Sequence, residues 1–206
     1  MRRITAILLT IAIWSPVQAQ NLSDGGETKT ITKVGTTAAQ FMKLGVGARA
    51  IALGGTFVAQ ANDLSALYWN PAGLSNISGG AVQFSHTEYL ADISYNYAAF
   101  GINVGQLGTI AASLLYLDSG DMEVRTTANP EGTGELFKKQ DLALQLSYAR
   151  ALTDRFSIGT TFKFIREQIW HSSASAMAFD VGVLFTTPYE DLRLGASMSN
   201  FGPKMQ

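Results

Sequence analysis

Four consecutive stretches of this chain alternate, residue by residue, between a bulky apolar set and a small or polar set, and only a strand places such sets on opposite faces. Between Asp141 and Arg150, Leu142, Leu144, Leu146 and Tyr148 alternate with Ala143, Gln145, Ser147 and Ala149. Phe156, Ile158, Phe162 and Phe164 oppose Ser157, Gly159, Thr161 and Lys163, with Thr160 the polar member of the apolar set. Met177, Phe179, Val181, Val183 and Phe185 oppose Ala178, Asp180 and Gly182, and Leu192, Leu194, Ala196 and Met198 oppose Arg193, Gly195, Ser197 and Ser199. Lys163, Asp180 and Arg193 all belong to the second set. That face must meet water or opposite charges, because an unpaired buried charge is prohibitively costly. The bulky face must meet lipid or a core.

Lipid is the better match. A soluble sandwich turns its large apolar side chains inward and dresses its exterior in Lys and Glu. Here glycine, alanine and serine dominate the polar face, and charged residues make up only 15% of the chain. No later stretch approaches the roughly 18 consecutive apolar residues of a membrane helix. The expected fold is therefore all-β, an antiparallel transmembrane β-barrel. Upstream, Val82, Phe84 and His86 form a short run, and Ile93, Tyr95 and Tyr97 shift register to Phe100, Ile102 and Val104. That shift suggests a bulge at Ala98-Ala99. Leu107 to Leu117 is nearly all apolar and leaves its register open.

Seven strands are expected over residues 80–206. Tight turns fall near Asn103-Gly105, Thr153-Arg155 and Pro188-Asp191, with longer or more polar connections at about residues 86–91, 118–140 and 167–173. Short turns on the periplasmic side and longer loops outside are the barrel habit. Bacterial single-chain barrels use even strand numbers. An odd count, ending just after a rising strand, leads to the expectation that these residues are the first part of a longer barrel.

Export is legible at the start. Arg2 and Arg3 precede an apolar run at residues 4–14, and Val17-Gln18-Ala19 offers small residues where a signal peptidase reads. Residues 1–19 are expected to be a cleaved signal peptide, since an anchoring helix would need roughly twenty apolar residues. Fifteen Lys+Arg against sixteen Asp+Glu leave no basic surplus for nucleic acid. The absence of cysteine removes disulfides, thiolate metal sites and thiol nucleophiles together.

Residues 20–79 differ in composition and carry the most specific motif. A glycine-rich block from Gly45 to Ala59, including Gly54 and Gly55, is followed by Asn62, Asp63 and then Trp69-Asn70-Pro71-Ala72-Gly73-Leu74. Asn62 or Asp63 can cap a short helix through Trp69, and Pro71 forces residue 70 out of helical geometry. Residues this small allow close backbone packing, as a plug inside a barrel requires. The block and its Asn-Pro-Ala-Gly-Leu run resemble the PorV/PorQ family, which belongs with the FadL-like outer-membrane barrels. The resemblance implies a barrel of about fourteen strands with a lumen hatch formed by Gly54, Gly55, Asn62, Asp63, Trp69, Asn70, Pro71, Ala72, Gly73 and Leu74. It also implies a place in the bacterial cell outer membrane, in contact with outer-membrane lipid. Two roles follow from it: binding and shuttling secreted protein cargo in type IX secretion, with cargo contacts in extracellular loops, or passage of fatty acids and other hydrophobic small molecules past the hatch. Asn70-Pro71 would serve as a hinge, and Trp69 either packs the plug against the wall or forms part of a gate.

Rival chemistry is weakly supported. Gly45-x-Gly47 is followed by Ala50 where a nucleotide fingerprint needs its third glycine. Asp118, Asp121 and Glu123 lack the spacing of a calcium loop and read as a solvated loop. His86 and His171 are the two histidines, too few for a multi-histidine zinc site. His86 with Glu88 nearby leaves a hydrolase to consider, but no serine sits in a nucleophile-elbow motif. Tyr68, Tyr89, Tyr95, Tyr97, Tyr116, Tyr148, Trp170 and Tyr189 are expected at strand ends, as ligand-stacking groups or as an interfacial girdle. No enzyme activity, cofactor or metal is expected.

Overall fold

The structure, a computed structural model, describes residues 38–205, so the expected signal peptide lies outside the described residues. Seven strands form one antiparallel sheet: β1 (Gly80–Glu88), β2 (Ser94–Asn103), β3 (Thr109–Asp118), β6 (Lys139–Thr153), β7 (Phe156–Ile169), β8 (Ser172–Thr186) and β9 (Arg193–Phe201). Each pairs with the next in chain order, and the sheet is open, with β1 and β9 at its edges. The short strands β4 (Met122–Glu123) and β5 (Leu136–Phe137) pair within the connection between β3 and β6.

The period-two pattern sorts the two faces as the sequence implies. Leu144, Leu146, Tyr148, Phe162, Met177, Phe179, Val181, Phe185, Leu194 and Met198 lie exposed on one face. Ala143, Gln145, Ser147, Ala149, Thr161, Lys163, Ala178 and Asp180 are buried on the other. A water-soluble sheet has the opposite arrangement; apolar exposure on this scale is characteristic of a surface meant for lipid or a partner. Residues 38–77 cover the buried face. They comprise α1 (Ala48–Ala52) and α2 (Ala66–Trp69), flanked by 3-10 turns at Gln40–Lys43 and Pro71–Asn76. Phe57, Leu67, Leu74 and Leu115 are fully buried in the core between this segment and the sheet.

Three expectations are corrected. No bulge interrupts β2 at Ala98-Ala99, where the register to β1 and β3 runs unbroken. The apparent shift arises because large residues occupy both faces of this strand: Tyr95 and Tyr97 are buried under the N-terminal segment, while Phe100 and Ile102 are exposed on the opposite face. The hydroxyls of Tyr95 and Tyr97 donate to Leu44 O and Leu64 O, both at 2.8 Å, so these two rings are core and not girdle. The ladder irregularities fall elsewhere, at Ala151/Thr153 and Phe179/Val181. Finally, the connection expected over 167–173 is a tight turn of Trp170 and His171, with Trp170 at φ 52. Strand pairing is a backbone matter and continues through Gln168, Ser172 and Ser173, beyond the end of the apolar alternation. The register left open in Leu107 to Leu117 resolves with Ala111, Ser113, Leu115 and Leu117 on the covered face.

Leu146 occupies the middle of the bare apolar face, between rows led by Leu144 and Tyr148. Leu146→Lys is expected to destabilise the protein in lipid vesicles by about 2–4 kcal/mol, read by urea titration. The same charge at Glu88, on the polar end of β1, should be nearly neutral.

Candidate functional site

The covered face is layered by cross-strand register. One row runs Thr109, Ala149, Gly159, Gly182, Ser197 across β3, β6, β7, β8 and β9, all of them small. The next runs Ala111, Ser147, Thr161, Asp180, and the one after it Ser113, Gln145, Lys163, Ala178. A small-residue row is thus followed by two polar ones.

The Asn-Pro-Ala-Gly-Leu run docks on the small row. A Cβ added to Gly159 would stand 2.3 Å from the Pro71 carbonyl carbon, and one added to Gly182 would stand 2.0 Å from Asn70 Oδ1. On β9, a Cβ at Gly195 would come within 2.7 Å of Ala59 Cα. No side chain fits in these gaps. The three glycines form a notch in which segment backbone is pressed against Gly159 and Gly195, and the Asn70 and Pro71 side chains against Gly182.

Asn70 is the pivot of the contact. Pro71 denies it helical backbone, and it sits extended at φ −160°, ψ 104° as the N-cap of the Pro71–Asn76 turn. Its side chain accepts from Ala72 N at 3.1 Å and donates to Val58 O at 2.8 Å and to Val183 O of β8 at 3.1 Å. One fully buried amide therefore ties together the 3-10 turn, the preceding loop and the sheet. Gly73 is equally constrained, since a Cβ there would meet Ala61 O at 2.3 Å. Ala72 and Leu74 are completely buried.

The remaining motif residues sit apart from the notch. Gly54 and Gly55 adopt φ of 66° and 77° and turn the chain after α1, a conformation that L-residues resist. Trp69 packs on Gly45 and Gly55, donates from Nε1 to Val46 O at 2.8 Å and meets Tyr68 edge-on, so its contacts are within the segment. Burial pushes the Tyr68 hydroxyl up to about 12, keeping it a donor to Met42 O. Asp63 organises the start of α2 by accepting from Ser65 N at 2.8 Å, whereas Asn62 is exposed and accepts from Arg49 at 2.8 Å. Neither expected residue caps the helix: the N-cap of α2 is Ser65, which makes no side-chain cap hydrogen bond, and the Asp63 side chain reaches only Ser65.

Beside the notch lies a buried ion pair. Lys163 Nζ is 2.6 Å from Asp180 Oδ2, at an angle outside hydrogen-bond geometry, and donates to Asn200 Oδ1 at 2.9 Å. Asp180 Oδ1 accepts from Asn200 N at 2.7 Å, at the point where the β8–β9 ladder slips. Of the three charges that alternation placed on the polar face, Lys163 and Asp180 are each other's partners and Arg193 is exposed. Ser147 and Thr161 share a hydrogen bond of 2.6 Å, but Ser113 Oγ and both amide atoms of Gln145 have no partner among the described residues.

The other candidate chemistry disperses. Among the described residues no three His, Asp or Glu side chains converge on a metal position. Asp121 pairs with Lys138 at 3.0 Å, Glu123 faces Arg125 at 4.0 Å, and Asp118 accepts from Gly120 N and Gln140. His86 contacts Asn96 at 2.7 Å and Glu88 at 3.5 Å on the exposed face, and His171 stacks on Trp170.

Gly159, Gly182 and Gly195 are the docking residues that the sequence motif did not mark. Each stood in the polar set of its strand, and a glycine there, between bulky neighbours, is the available sign of close backbone approach.

Gly182→Val is expected to expel Asn70, at a cost of about 1–3 kcal/mol or more. Trypsin should then cut after Lys43 or Arg49 in protein whose strands remain folded. Breaking the ion pair by Lys163→Met alone should cost about 3–5 kcal/mol, and the double variant Lys163→Met with Asp180→Asn should recover at least half of that in urea titrations.

A profile of the family described as "Type IX secretion system protein PorV" matches residues 27–206. A "UPF0164 protein" of Treponema pallidum (strain Nichols) is 27% identical over 169 residues, covering 76% of this chain and 42% of that protein. The chain thus spans less than half the length of that relative.

Proposed function

From the premise that the chain belongs to the PorV family of type IX secretion system proteins, we propose that it is a non-catalytic outer-membrane component that receives secreted proteins and carries them to the cell surface. In this reading the seven strands are the first part of a closed barrel whose bare face meets lipid. Residues 38–77 are its hatch. The observation that carries the reading is the notch: an N-terminal segment seated by shape against Gly159 and Gly182 on the side away from lipid. A wall-forming protein has no structural need for such a fitted insert, whereas a gated conduit or cargo receiver does. Its end at residues 119–138, with the β4–β5 hairpin and an exposed Leu136, faces the cell exterior and offers the cargo surface.

The hatch works by displacement about Asn70-Pro71, with Gly54 and Gly55 permitting the backbone to move. Gly54→Val with Gly55→Val is expected to abolish secretion while leaving membrane insertion intact; undiminished secretion removes the gating role.

The function itself is tested by expressing the complete reading frame with an affinity tag in its native host, extracting it in mild detergent and identifying co-purifying molecules by mass spectrometry. Large exported proteins in the eluate are the expected result. An eluate holding only fatty acids or other hydrophobic small molecules would replace the shuttle by a FadL-like channel.

A further inference from the structure

The bare apolar face is not uniform. Phe84, Phe100, Leu114 and Leu144 project from it, and between them lie Ala98 and Ala112, which leave a trough of about 350 Å3. A second hollow of about 370 Å3 shares Phe84, Ala98 and Leu114 and extends the trough toward the 119–138 end of the sheet. There it ends at His86, Asn96 and Tyr116, one cross-strand row of β1, β2 and β3. The trough runs along β2 from Phe100 to Asn96, roughly 13 Å at strand rise.

Three features identify what fits. The trough is continuous with the apolar surface that meets the bilayer, so whatever occupies it comes from the hydrocarbon. Its length is close to the roughly 15 Å depth of one leaflet, half of the ~30 Å hydrocarbon core. Its polar end carries hydrogen-bonding groups of both kinds: Asn96 Oδ1 holds His86 Nδ1 at 2.7 Å, His86 Nε2 faces Glu88 at 3.5 Å, and Tyr116 OH donates to Asp118 at 2.9 Å. An aromatic or aliphatic side chain of a partner barrel would match the walls but leave the His86 row with nothing to meet.

We infer that this trough is a lipid site, holding one acyl chain of a bilayer lipid in the leaflet nearer the 119–138 end, with its headgroup at His86, Asn96 and Tyr116. The walls Phe84 and Phe100 select it from the bulk by contact along the chain's length. The inference concerns the outer surface and is independent of cargo or gating.

The test uses the full-length protein, delipidated in detergent, titrated with deuterated phosphatidylethanolamine and examined by native mass spectrometry. One lipid should survive collision energies that strip all others. Ala98→Leu with Ala112→Leu fills the trough with residues suited to a lipid-facing wall and should lower that retention at least tenfold. Phe84→Ala, which lowers one wall and adds no bulk, should do the same, while Phe162→Leu on the same face outside the trough should not. Equal retention by the filled and native proteins would overturn the inference, as would palmitate alone displacing the lipid, or co-purification of a partner protein lost in the filled variant without any change in lipid.

Discussion

A segment can be pressed against the backbone of a strand only where no side chain intervenes, and the architecture depends on that being possible at Gly159 and Gly182. With a Cβ at either position, Asn70 and Pro71 could not sit where they do. The segment would then have to ride higher on the sheet, and Phe57, Leu67 and Leu74 would lose the core that buries them. Asn70 turns this closeness into direction. Its amide reaches Val58 O, Ala72 N and Val183 O together, which fixes the angle at which the 3-10 turn meets β8. Shape brings the segment to the wall, and Asn70, with the Tyr95 and Tyr97 hydroxyls donating to Leu44 O and Leu64 O, decides how it stands there.

The polar rows next to the notch contribute in another way. Lys163 and Asp180 pair with each other inside the wall, and Asn200 takes a hydrogen bond from one and gives one to the other. None of the three holds the segment. The ion pair therefore settles the β8–β9 irregularity and leaves the segment's seating to packing. A buried pair of this kind is weak evidence for net stability.

Much of the fold was legible in sequence because a strand that separates lipid from an interior must alternate. From β6 to β9 the apolar set of each strand is the exposed set, and the charges Lys163 and Asp180 lie where alternation puts them. The pattern misled where the interior was itself apolar. Tyr95 and Tyr97 in β2 and Leu115 and Leu117 in β3 are buried by the N-terminal segment, so bulk no longer marks the outer face. The same cause hid the register of β3 and suggested a bulge in β2. The motif around Asn70 was visible as a run of small residues with a proline. Its receptor was not, because the docking glycines belong to strands more than eighty residues away in the chain.

An interface seated by shape and leaving polar atoms unmatched has a particular energetic character. Ser113 Oγ and both amide atoms of Gln145 are buried without a partner among the described residues, while in the neighbouring row Ser147 and Thr161 bond each other. Each such atom costs about 1–3 kcal/mol while covered and regains water when uncovered. The apolar contacts of Leu67 and Leu74 act in the opposite sense, since separating them from the wall exposes surface at roughly 25 cal/mol per Å2. The two act against each other across the same interface, and Phe57, Tyr95 and Tyr97 add to the apolar side. Replacing Gln145 with an apolar residue of similar size would remove part of the polar cost and hold the segment more tightly.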